Sequence, residues 1–408
     1  MERLNEIWQS IRTNKLRTFL TGFSVGWGIF MLVLLLGLGN GMQNGTRDKF
    51  KDDAINSIAI SGGQTSLSHD GLLPGRRIKF KNEDYDLIKK EIEGVEKITA
   101  RVAKWRSFSV SYGDKSAAYR VRGTHPDHKF VEKTIIRQGR FLNELDLEQN
   151  RKVCVISEQI EDELFDGESA MGKWLSLSGT TFRVVGIFVD EGSEGENGIL
   201  YLPITTAQVA FGRADNIDRI IFTTGEASLE ETQAMAEKVR QMAAAKHHFS
   251  PNDPRAIHIR NNYEEFKRIS DVIDVMKSFF WLIGILTIFA GIIGVSNIML
   301  ITVQERTKEI GIRKSIGASP LSIVSMIVQE SILITGIFGY IGLFLAVVLL
   351  ELVAKVVPNT GAVISNPTVD FTTALWALAV LIVSGSLAAL IPSLKAARIK
   401  PVEALSAD

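Results

Sequence analysis

Cysteine and unbalanced charge are what this 408-residue sequence most clearly lacks. The single cysteine, Cys154, cannot form an internal disulfide, and the alternating run KVCVIS around it predicts a buried structural thiol. Lysine plus arginine and aspartate plus glutamate both number 46, so no dominant basic field is available to hold nucleic acid. These absences exclude an internal disulfide framework and argue against nucleic acid as a partner.

Motifs for catalysis and nucleotide binding are also missing. GESAMGKW at 167–174 resembles a P-loop, but Trp174 stands where Ser or Thr would hold magnesium, and the following residues alternate like a strand. No other P-loop, HExxH or nucleophile-elbow pattern occurs, so we expect no catalytic residue, bound cofactor or metal site in this chain. His125 and His128 in HPDH, and the pair His247–His248, are interpreted as solvated loop residues because no third ligand accompanies them.

Long apolar runs are abundant by contrast, and they are segregated from the rest of the chain. Each of four blocks is long enough to cross a bilayer, which takes about 20 helical residues. The blocks are residues 18–39, 278–303, 322–357 and 371–394. The first exceeds a signal-peptide core and is expected to be an uncleaved anchor. The predicted fold class is an α+β membrane protein with four transmembrane helices and a large mixed α/β extracytoplasmic domain, residues 40–277, between the first two.

The distribution of positive charge predicts the orientation. Lysines and arginines occupy the N-terminal amphipathic segment 1–17, the segment 304–321 and the tail 395–408, whereas the short loop 358–370 has none. The positive-inside rule then places both termini and the segment 304–321 in the cytoplasm. The domain 40–277 and the loop 358–370 are expected on the outer side.

Alternation and helical periodicity predict the make-up of the outer domain. Two βαβ units are predicted near 56–102 and 217–261, around a β-rich insertion near 120–215. Apolar residues then recur at helical spacing from Asn262 onward, which predicts a stalk helix over 262–277 that continues into the second span. Such a helix would be about 60 Å long at ~1.5 Å per residue, so it could carry movement across the membrane.

Two kinds of residue inside the apolar blocks suggest contacts between helices. Small residues allow helix backbones to approach closely, within or between chains, although glycine is also simply common in membrane helices. The predicted packing positions are Gly22, Gly26, Gly291, Gly294, Gly336, Gly339 and Gly342. Glu330 is the one acid well inside an apolar block. It is either an intramembrane ionisable group with a pairing or functional role, or a residue near the headgroups at the interface.

The segment 305–319, ERTKEIGIRKSIGAS, pairs its charges at helical spacing. Glu309 and Arg313 stand four residues apart, which supports a short helix that Gly317 ends and Pro320 cannot continue. A helix of this kind at the inner face of a membrane suits docking into a groove on a soluble partner. A solvated amphipathic connector is the alternative.

These segments resemble one known family. QERTKEIGIRKSIGASPLSIVSMIVQE resembles the cytoplasmic segment between spans two and three of MacB-type (type VII) ABC transporter permeases, the MacB/LolCE/FtsX-like superfamily. IPSLKAARIKPVEAL resembles the C-terminal signature of that family, and NKLRTFLTGFSVGWGI its entry into span one. FRVVGIF and GILYLPITTAQ resemble its periplasmic core domain.

The resemblance implies a permease that forms a dimer with a second copy or a paralogue and pairs with a separate ABC ATPase that binds ATP and magnesium. One departure from the family is expected: MacB itself carries a fused N-terminal ATPase, whereas this sequence starts directly at the membrane and is expected to lack one. It implies the bacterial inner membrane, a porter part with a sabre-like insertion, and ATP-driven bending of the outer domain through its stalks (mechanotransmission). A periplasmic adaptor and an outer-membrane exit duct are further expected partners besides membrane lipid. The implied ATPase-docking coupling helix comprises Glu305, Arg306, Glu309, Ile310, Gly311, Arg313, Lys314, Gly317 and Ala318.

Three functions remain open at this level. The first is export or extraction of a substrate, which the long insertion favours because it leaves room for an adaptor or substrate. The second is a non-transporting, FtsX-like regulator of an extracytoplasmic enzyme. The third is a membrane receptor without any ATPase.

Overall fold

A computed structural model describes residues 15–49, 54–103, 107–189, 198–356, 364–369 and 371–399. The chain divides into two compact units, of which one is Arg47–Ile269 and the other combines Met1–Thr46 with Ser270–Asp408. The helices are α1 (Lys15–Lys49), α2 (Asn82–Glu91), α3 (His128–Val131), α4 (Glu144–Glu148), α5 (Glu158–Phe165), α6 (Ile204–Ala210), α7 (Leu229–His247), α8 (Asn262–Glu305), α9 (Thr307–Ser315), α10 (Pro320–Val356) and α11 (Phe371–Ala397).

All strands among the described residues belong to the unit Arg47–Ile269. They are β1 (Ser57–Gly62), β2 (Phe80–Lys81), β3 (Ile98–Ala103), β4 (Phe108–Tyr112), β5 (Lys115–Thr124), β6 (Ile135–Gly139), β7 (Val153–Ser157), β8 (Trp174–Leu177), β9 (Thr180–Val189), β10 (Ile199–Pro203), β11 (Asn216–Ile217), β12 (Arg219–Thr223) and β13 (Ile257–Asn261). The mixed α/β composition predicted from the sequence is confirmed.

Four strands form an antiparallel layer in the order β3-β12-β1-β13. Helix α2 lies between β1 and β3 in the chain, and α7 lies between β12 and β13. Each strand–helix–strand unit therefore has a strand of the other unit inserted between its own two strands. Buried apolar side chains hold the centre of the layer, where Ile60 of β1 lies opposite Ile220 of β12. The sequence predicted both units, but their interleaving follows from pairing between residues more than 115 positions apart.

Six further strands close into a ring in the order β5-β4-β8-β9-β7-β10, because β10 pairs in parallel with β5. Closure leaves no open edge between these six strands. Strand β6 pairs with β9 outside this ring, and β2 and β11 form a separate two-stranded sheet. Cys154 on β7 points into the core with no exposed surface, and burial raises the pKa of its thiol. The sequence predicted this β-rich segment and the buried cysteine, but it did not separate β6 and β10 as strands.

Ser228 and Glu231 cap the start of helix α7. The Ser228 hydroxyl accepts a hydrogen bond from the Glu231 amide at 3.3 Å, and the Glu231 carboxylate accepts one from the Ser228 amide at 2.7 Å. This reciprocal capping box satisfies two amides that the first turn leaves without partners. The hydrogen bonds from Ser228 also lower the pKa of Glu231.

The interpretation of the histidines as solvated was wrong for all but His248. His128 is fully buried, and its ring contacts that of Tyr201 with centroids 5.2 Å apart. His125 stacks on Tyr85 and accepts a hydrogen bond from the Ala100 amide at 3.0 Å, and burial lowers its pKa to about 4. The HPDH turn directly follows β5, so tertiary packing covers a segment that its polar sequence would place in water.

The second unit contains helices rich in apolar residues. Among the described residues, four helices are long and apolar enough to cross a membrane, within Thr18–Arg47, Asn262–Glu305, Pro320–Val356 and Leu375–Ala397. The prediction of four candidate spans is confirmed. Helix α8 is continuous over 44 residues and includes both the predicted stalk and the second apolar block.

Candidate functional site

The charged segment between α8 and α10 folds into the nine-residue helix α9. It is shorter than the predicted 304–321, because α8 extends to Glu305 and α10 begins at Pro320. Gly317 has a φ of +104°, and the amides of Gly317 and Ala318 donate to the carbonyls of Lys314 and Arg313 at 3.1 and 3.0 Å. These bonds form a Schellman motif, in which a glycine in the left-handed region ends the helix.

One side of α9 packs into its own unit. Ile310 is 2% exposed and lies in an apolar cluster with Val303, Ile323, Ile327 and Ala396. Gly311 is also buried. The assignment of Ile310 and Gly311 as surface residues that contact an ATPase was therefore wrong. The charge pattern alone did not show which isoleucine of the segment faces inward.

An ion-pair network joins α9 to α10 through Arg306. Its guanidinium donates to both carboxylate oxygens of Glu309, at 2.8 and 3.1 Å, and to Glu330 at 3.0 Å. Arg313 lies 3.0 Å from Glu309, at the four-residue spacing seen in the sequence. Hydrogen bonds from Arg306 lower the pKa of Glu309. Glu330 is 5% exposed and pairs with Arg306. A pairing role for Glu330 was one of the two interpretations that the sequence left open.

Lys314 joins α9 to the end of α11. Its ammonium donates to the carbonyls of Ala397 and Ile399 at 2.8 and 2.7 Å. These carbonyls lie at the C-terminal end of α11, where the last turn of a helix leaves acceptors unsatisfied and the helix dipole favours a cation. Together with Ile310 and Arg306, Lys314 fixes α9 to the ends of three long helices.

The opposite side of α9 is exposed, and we call it the α9 face. The name covers the exposed Lys308, Ile312 and Ile316, together with the exposed Leu321 in the first turn of α10. Ile316 and Leu321 are 82% and 79% exposed. Of the predicted docking residues, Glu305 and Gly317 are exposed as well, and Arg306, Glu309, Arg313, Lys314 and Ala318 are partly exposed. Leu321 lies in the predicted segment 304–321, but it was not among the predicted docking residues.

Glycine contacts bring α1 close to α8 and α10. A methyl group built on Gly342 of α10 would overlap the Gly26 carbonyl of α1, and one on Gly26 would lie 2.7 Å from the Phe338 carbonyl. A methyl on Gly22 would overlap the Phe338 ring. On α8, methyls on Gly291 and Gly294 would lie 3.3 and 3.2 Å from atoms of Ser24.

The two remaining predicted packing glycines differ. Gly339 is buried, whereas a methyl built on Gly336 would meet no atom within 4 Å among the described residues. Gly336 therefore makes no close contact among the described residues, and its assignment to helix packing, within or between chains, stays a prediction. Gly336 and Gly342 are six residues apart, which at 3.6 residues per turn puts them on different faces of α10.

A stripe of large apolar side chains on α8 is exposed, and we call it the α8 stripe. Its members alternate at spacings of three and four residues over three heptads: Val272, Val275, Phe279, Leu282, Leu286, Phe289 and Ile293. An average period of 3.5 residues is the pattern of a helix that packs along a partner helix. Ile273, which directly follows Val272, is by contrast buried.

The P-loop-like segment has no role as a nucleotide site. Trp174 begins strand β8, so the helix that a P-loop requires does not follow it. Glu168 pairs with Lys173, the lysine that would otherwise contact phosphate, and Lys173 lies 5.3 Å above the Tyr112 ring. The segment is a surface turn of the strand ring.

Four membrane-length apolar helices, with a large α/β domain between the first and the second in the chain, define a multi-pass membrane protein. Comparison with known families then gives the narrower class. The sequence profile of the MacB-like periplasmic core domain matches residues 18–241, and that of the FtsX-like permease C-terminal domain matches residues 281–401. The chain belongs to the family of permeases with a MacB-like periplasmic core domain, and the resemblance seen in its sequence is confirmed.

Curated relatives match along nearly the whole chain. The macrolide export ATP-binding/permease protein MacB of Bdellovibrio bacteriovorus is 27% identical over 99% of this chain and 61% of its own length. The pyoverdine export ATP-binding/permease protein PvdT of Pseudomonas putida is 26% identical over 100% of this chain and 60% of its own length. The chain thus spans about three fifths of the length of these relatives.

Solved structures of related domains give weaker matches. The periplasmic region of MacB from Actinobacillus actinomycetemcomitans aligns with a TM-score of 0.44 and 20% identity, over 54% of this chain and 95% of that one. The extracellular domain of the ABC-type transporter YknZ from Gram-positive bacteria aligns with a TM-score of 0.43 and 20% identity, over 50% of this chain and 100% of that one.

Proposed function

We propose that this chain is the permease subunit of an ABC-type exporter and that a partner ATPase docks on the α9 face. The partner binds ATP and magnesium, and this chain performs no catalysis. The observation that carries the proposal is the arrangement of α9. One side is fixed to three helices by Arg306, Ile310 and Lys314, while the other side presents exposed isoleucines. A surface built in this way can receive a force and pass it on.

Movement of the docked ATPase would reach the long helices through these fixed points. A shift of α9 acts on α10 through the Arg306–Glu330 pair and on α11 through Lys314. It acts on α8 through the single residue, Arg306, that separates the two helices. Because α8 is continuous from Asn262 to Glu305, it is the element proposed to transmit the stroke to the periplasmic domain. This is the mechanotransmission expected for an inner-membrane permease with both termini in the cytoplasm.

Export is preferred here over regulation of an extracytoplasmic enzyme. Both curated relatives described above are named as exporters, one of macrolides and one of pyoverdine. We therefore propose that the transported molecule leaves from the periplasmic side, with a periplasmic adaptor and an outer-membrane exit duct as further partners.

Two copies of the permease are proposed to meet along the α8 stripe. Val272 and Val275 support this because they are exposed among charged neighbours, Asp271 and Asp274, at the polar start of the stripe. Exposed valines in water are unfavourable, whereas a second copy of the helix would cover them in a parallel seam.

We expect replacement of Ile316 with aspartate to uncouple the ATPase. A carboxylate at the centre of the α9 face places an unpaired charge in an apolar contact, so the ATP hydrolysis that co-purifies with the tagged permease should fall by about tenfold. The measurement is the ATPase activity of the complex purified from native membranes and placed in lipid nanodiscs.

Val209→Asp is the matched control, since Val209 is 76% exposed on α6. It should leave hydrolysis unchanged, and both variants should insert and melt like the parent. Equal hydrolysis in the parent and Ile316→Asp would contradict docking on the α9 face. Absence of any ATP-binding protein from the purified parent would overturn the transporter assignment itself.

We expect cysteine at Val275 to form a disulfide between two copies. Val275 occupies a seam position where side chains of paired helices face each other, and the native Cys154 is buried and does not compete. The measurement is non-reducing electrophoresis after brief oxidation in native membranes. Asp274→Cys, one residue outside the stripe, should remain monomeric. Equal dimer from both positions would argue against the stripe as the seam.

A further inference from the structure

A small β-hairpin extends from the end of β1 over residues 64–77. Gln64 pairs with Arg77 at its base, and His69 pairs with Leu72 at its tip. The two central residues of the tip, Asp70 and Gly71, have φ values of +47° and +74°. Asp-Gly in this conformation is a type I′ turn, the turn whose twist matches that of a hairpin. The sequence therefore forms a defined hairpin here and not an irregular loop.

A buried carboxylate fastens one strand of the hairpin. Asp253 accepts hydrogen bonds from the amide and hydroxyl of Ser66, both at 2.6 Å, and from the Leu67 amide at 2.9 Å. It also accepts one from the Arg255 amide at 3.0 Å. Burial alone would raise the pKa of Asp253, but these hydrogen bonds outweigh it and lower the pKa to about 2. The carboxylate stays ionised and holds the hairpin in place.

The other strand is fastened at Arg76. Its guanidinium donates to the carbonyls of His247 and His248, at the C-terminal end of α7, where unsatisfied carbonyls favour a cation. The Arg76 amide donates to the Thr65 hydroxyl at 3.0 Å, and the Gly75 amide to the Thr65 carbonyl at 2.7 Å. Both strands are thus fixed independently, so the tip is held stiffly.

This stiff hairpin carries exposed leucines. Leu67, Leu72 and Leu73 are 45%, 37% and 79% exposed. Three exposed cations, Arg77, Lys79 and Arg255, lie at or just beyond the base of the hairpin, and none of them forms a salt bridge with another described residue. Arg255 is adjacent to Leu67, because their amides bind the same carboxylate of Asp253.

We propose that the hairpin 64–77 is a docking point for a partner protein that presents an apolar groove rimmed by carboxylates. The groove would take Leu72 and Leu73, and its carboxylates would face Arg77, Lys79 and Arg255. A lipid surface fits less well, because residues 64–79 contain no Phe, Trp or Tyr, the side chains that anchor proteins at a membrane interface. A preformed hairpin loses little conformational freedom on binding, which favours a shaped protein groove.

The test uses a photo-crosslinking amino acid at Leu73 of the full chain, expressed in its native cells. Asp114, exposed in the turn between β4 and β5, is the matched control position. We expect one discrete protein adduct from position 73 and none from position 114. Mass spectrometry of the adduct should place the linked peptide among apolar residues flanked by Asp or Glu.

Charge and apolar variants complete the test. Reversal of Arg77 and Lys79 to glutamate, or Leu72→Ser, should lower the adduct yield by about tenfold while the melting temperature of the chain stays unchanged. The expected adduct should also decrease as salt rises, since exposed charge pairs are screened. A lipid adduct, a self-adduct with a second copy, a partner peptide without carboxylates, or equal yields at positions 73 and 114 would each overturn the proposal.

Discussion

Replacing Gly342 with alanine is expected to destabilise the helical unit by about 2–3 kcal/mol, since overpacking of a close contact costs this much. The added methyl would overlap the Gly26 carbonyl oxygen and lie 2.9 Å from its carbonyl carbon. Both are backbone atoms, so no side-chain rotation relieves the overlap and α1 and α10 must separate. At ~2–4 °C per kcal/mol, the apparent melting temperature should fall by about 5–10 °C.

Gly336→Ala on the same helix is the matched control, because a methyl there meets no described atom within 4 Å. Both substitutions add one methyl to α10 and have the same helix propensity, so a difference between them isolates the contact with Gly26. The measurement is thermal unfolding of the detergent-solubilised protein. Equal melting temperatures for the two variants would show that the helices do not approach at Gly342. Lower stability of Gly336→Ala would instead place a neighbouring helix at that position.

Replacing Arg306 with methionine is expected to cost about 3 kcal/mol, because it removes the guanidinium beside a buried carboxylate. Glu330 is 5% exposed and lies 3.0 Å from Arg306, and Glu309 loses its two-point contact at the same time. The same substitution removes the ion pair between the start of α9 and α10, so ATP hydrolysis by the complex should fall with it. The measurements are thermal unfolding and the ATPase activity of the purified complex.

The double variant Arg306→Met, Glu330→Met separates loss of the ion pair from loss of packing. A buried pair exchanged for apolar residues of similar size is often neutral or stabilising, so the double variant should be more stable than Arg306→Met alone. Arg268→Ala removes an exposed arginine that pairs with Glu264, and it should change stability by less than about 0.5 kcal/mol. If the double variant were as unstable as the single one, the Arg306–Glu330 contact would not be the cause.

If the Arg306–Glu330 pair transmits movement, the double variant should regain stability but not the ATP hydrolysis that is coupled to the permease. The double variant keeps the volume of both side chains but loses the directional hydrogen bond between α9 and α10. If it also regained full ATP hydrolysis coupled to the permease, Ile310 and Lys314 would suffice to transmit the movement of α9. If it stayed uncoupled, the ion pair itself would be the connection.

Much of the fold could be predicted from local patterns. The apolar blocks, the capping box at Ser228, the glycine stop at Gly317 and the Glu309–Arg313 spacing each depend on residues close in the sequence. Their structures match because a helix end or an i,i+4 pair is decided by a few neighbouring residues. The alternation of apolar and polar residues likewise predicts the strands of the β-rich segment, except for β6 and β10.

The sequence predicted which segment forms the candidate site, but it did not predict which side chains of that segment are exposed. Charge spacing located the helix near Glu309, yet it gave no reason to bury Ile310 and expose Ile316. That choice depends on Ile323, Ile327 and Ala396, which lie on two other helices. The same limit applies to Glu330, whose partner Arg306 is 24 residues away.

The sequence by itself determined the four apolar helices, the α/β domain between the first two, the short charged helix and the family. Each of these is a property of composition or local periodicity. Only the tertiary structure decided which side of α9 is free, which glycine is crowded, how the two strand–helix–strand units interleave, and that the strand ring closes through β5 and β10. These features arise from contacts between distant residues, where the energy of packing depends on shapes that meet only after folding.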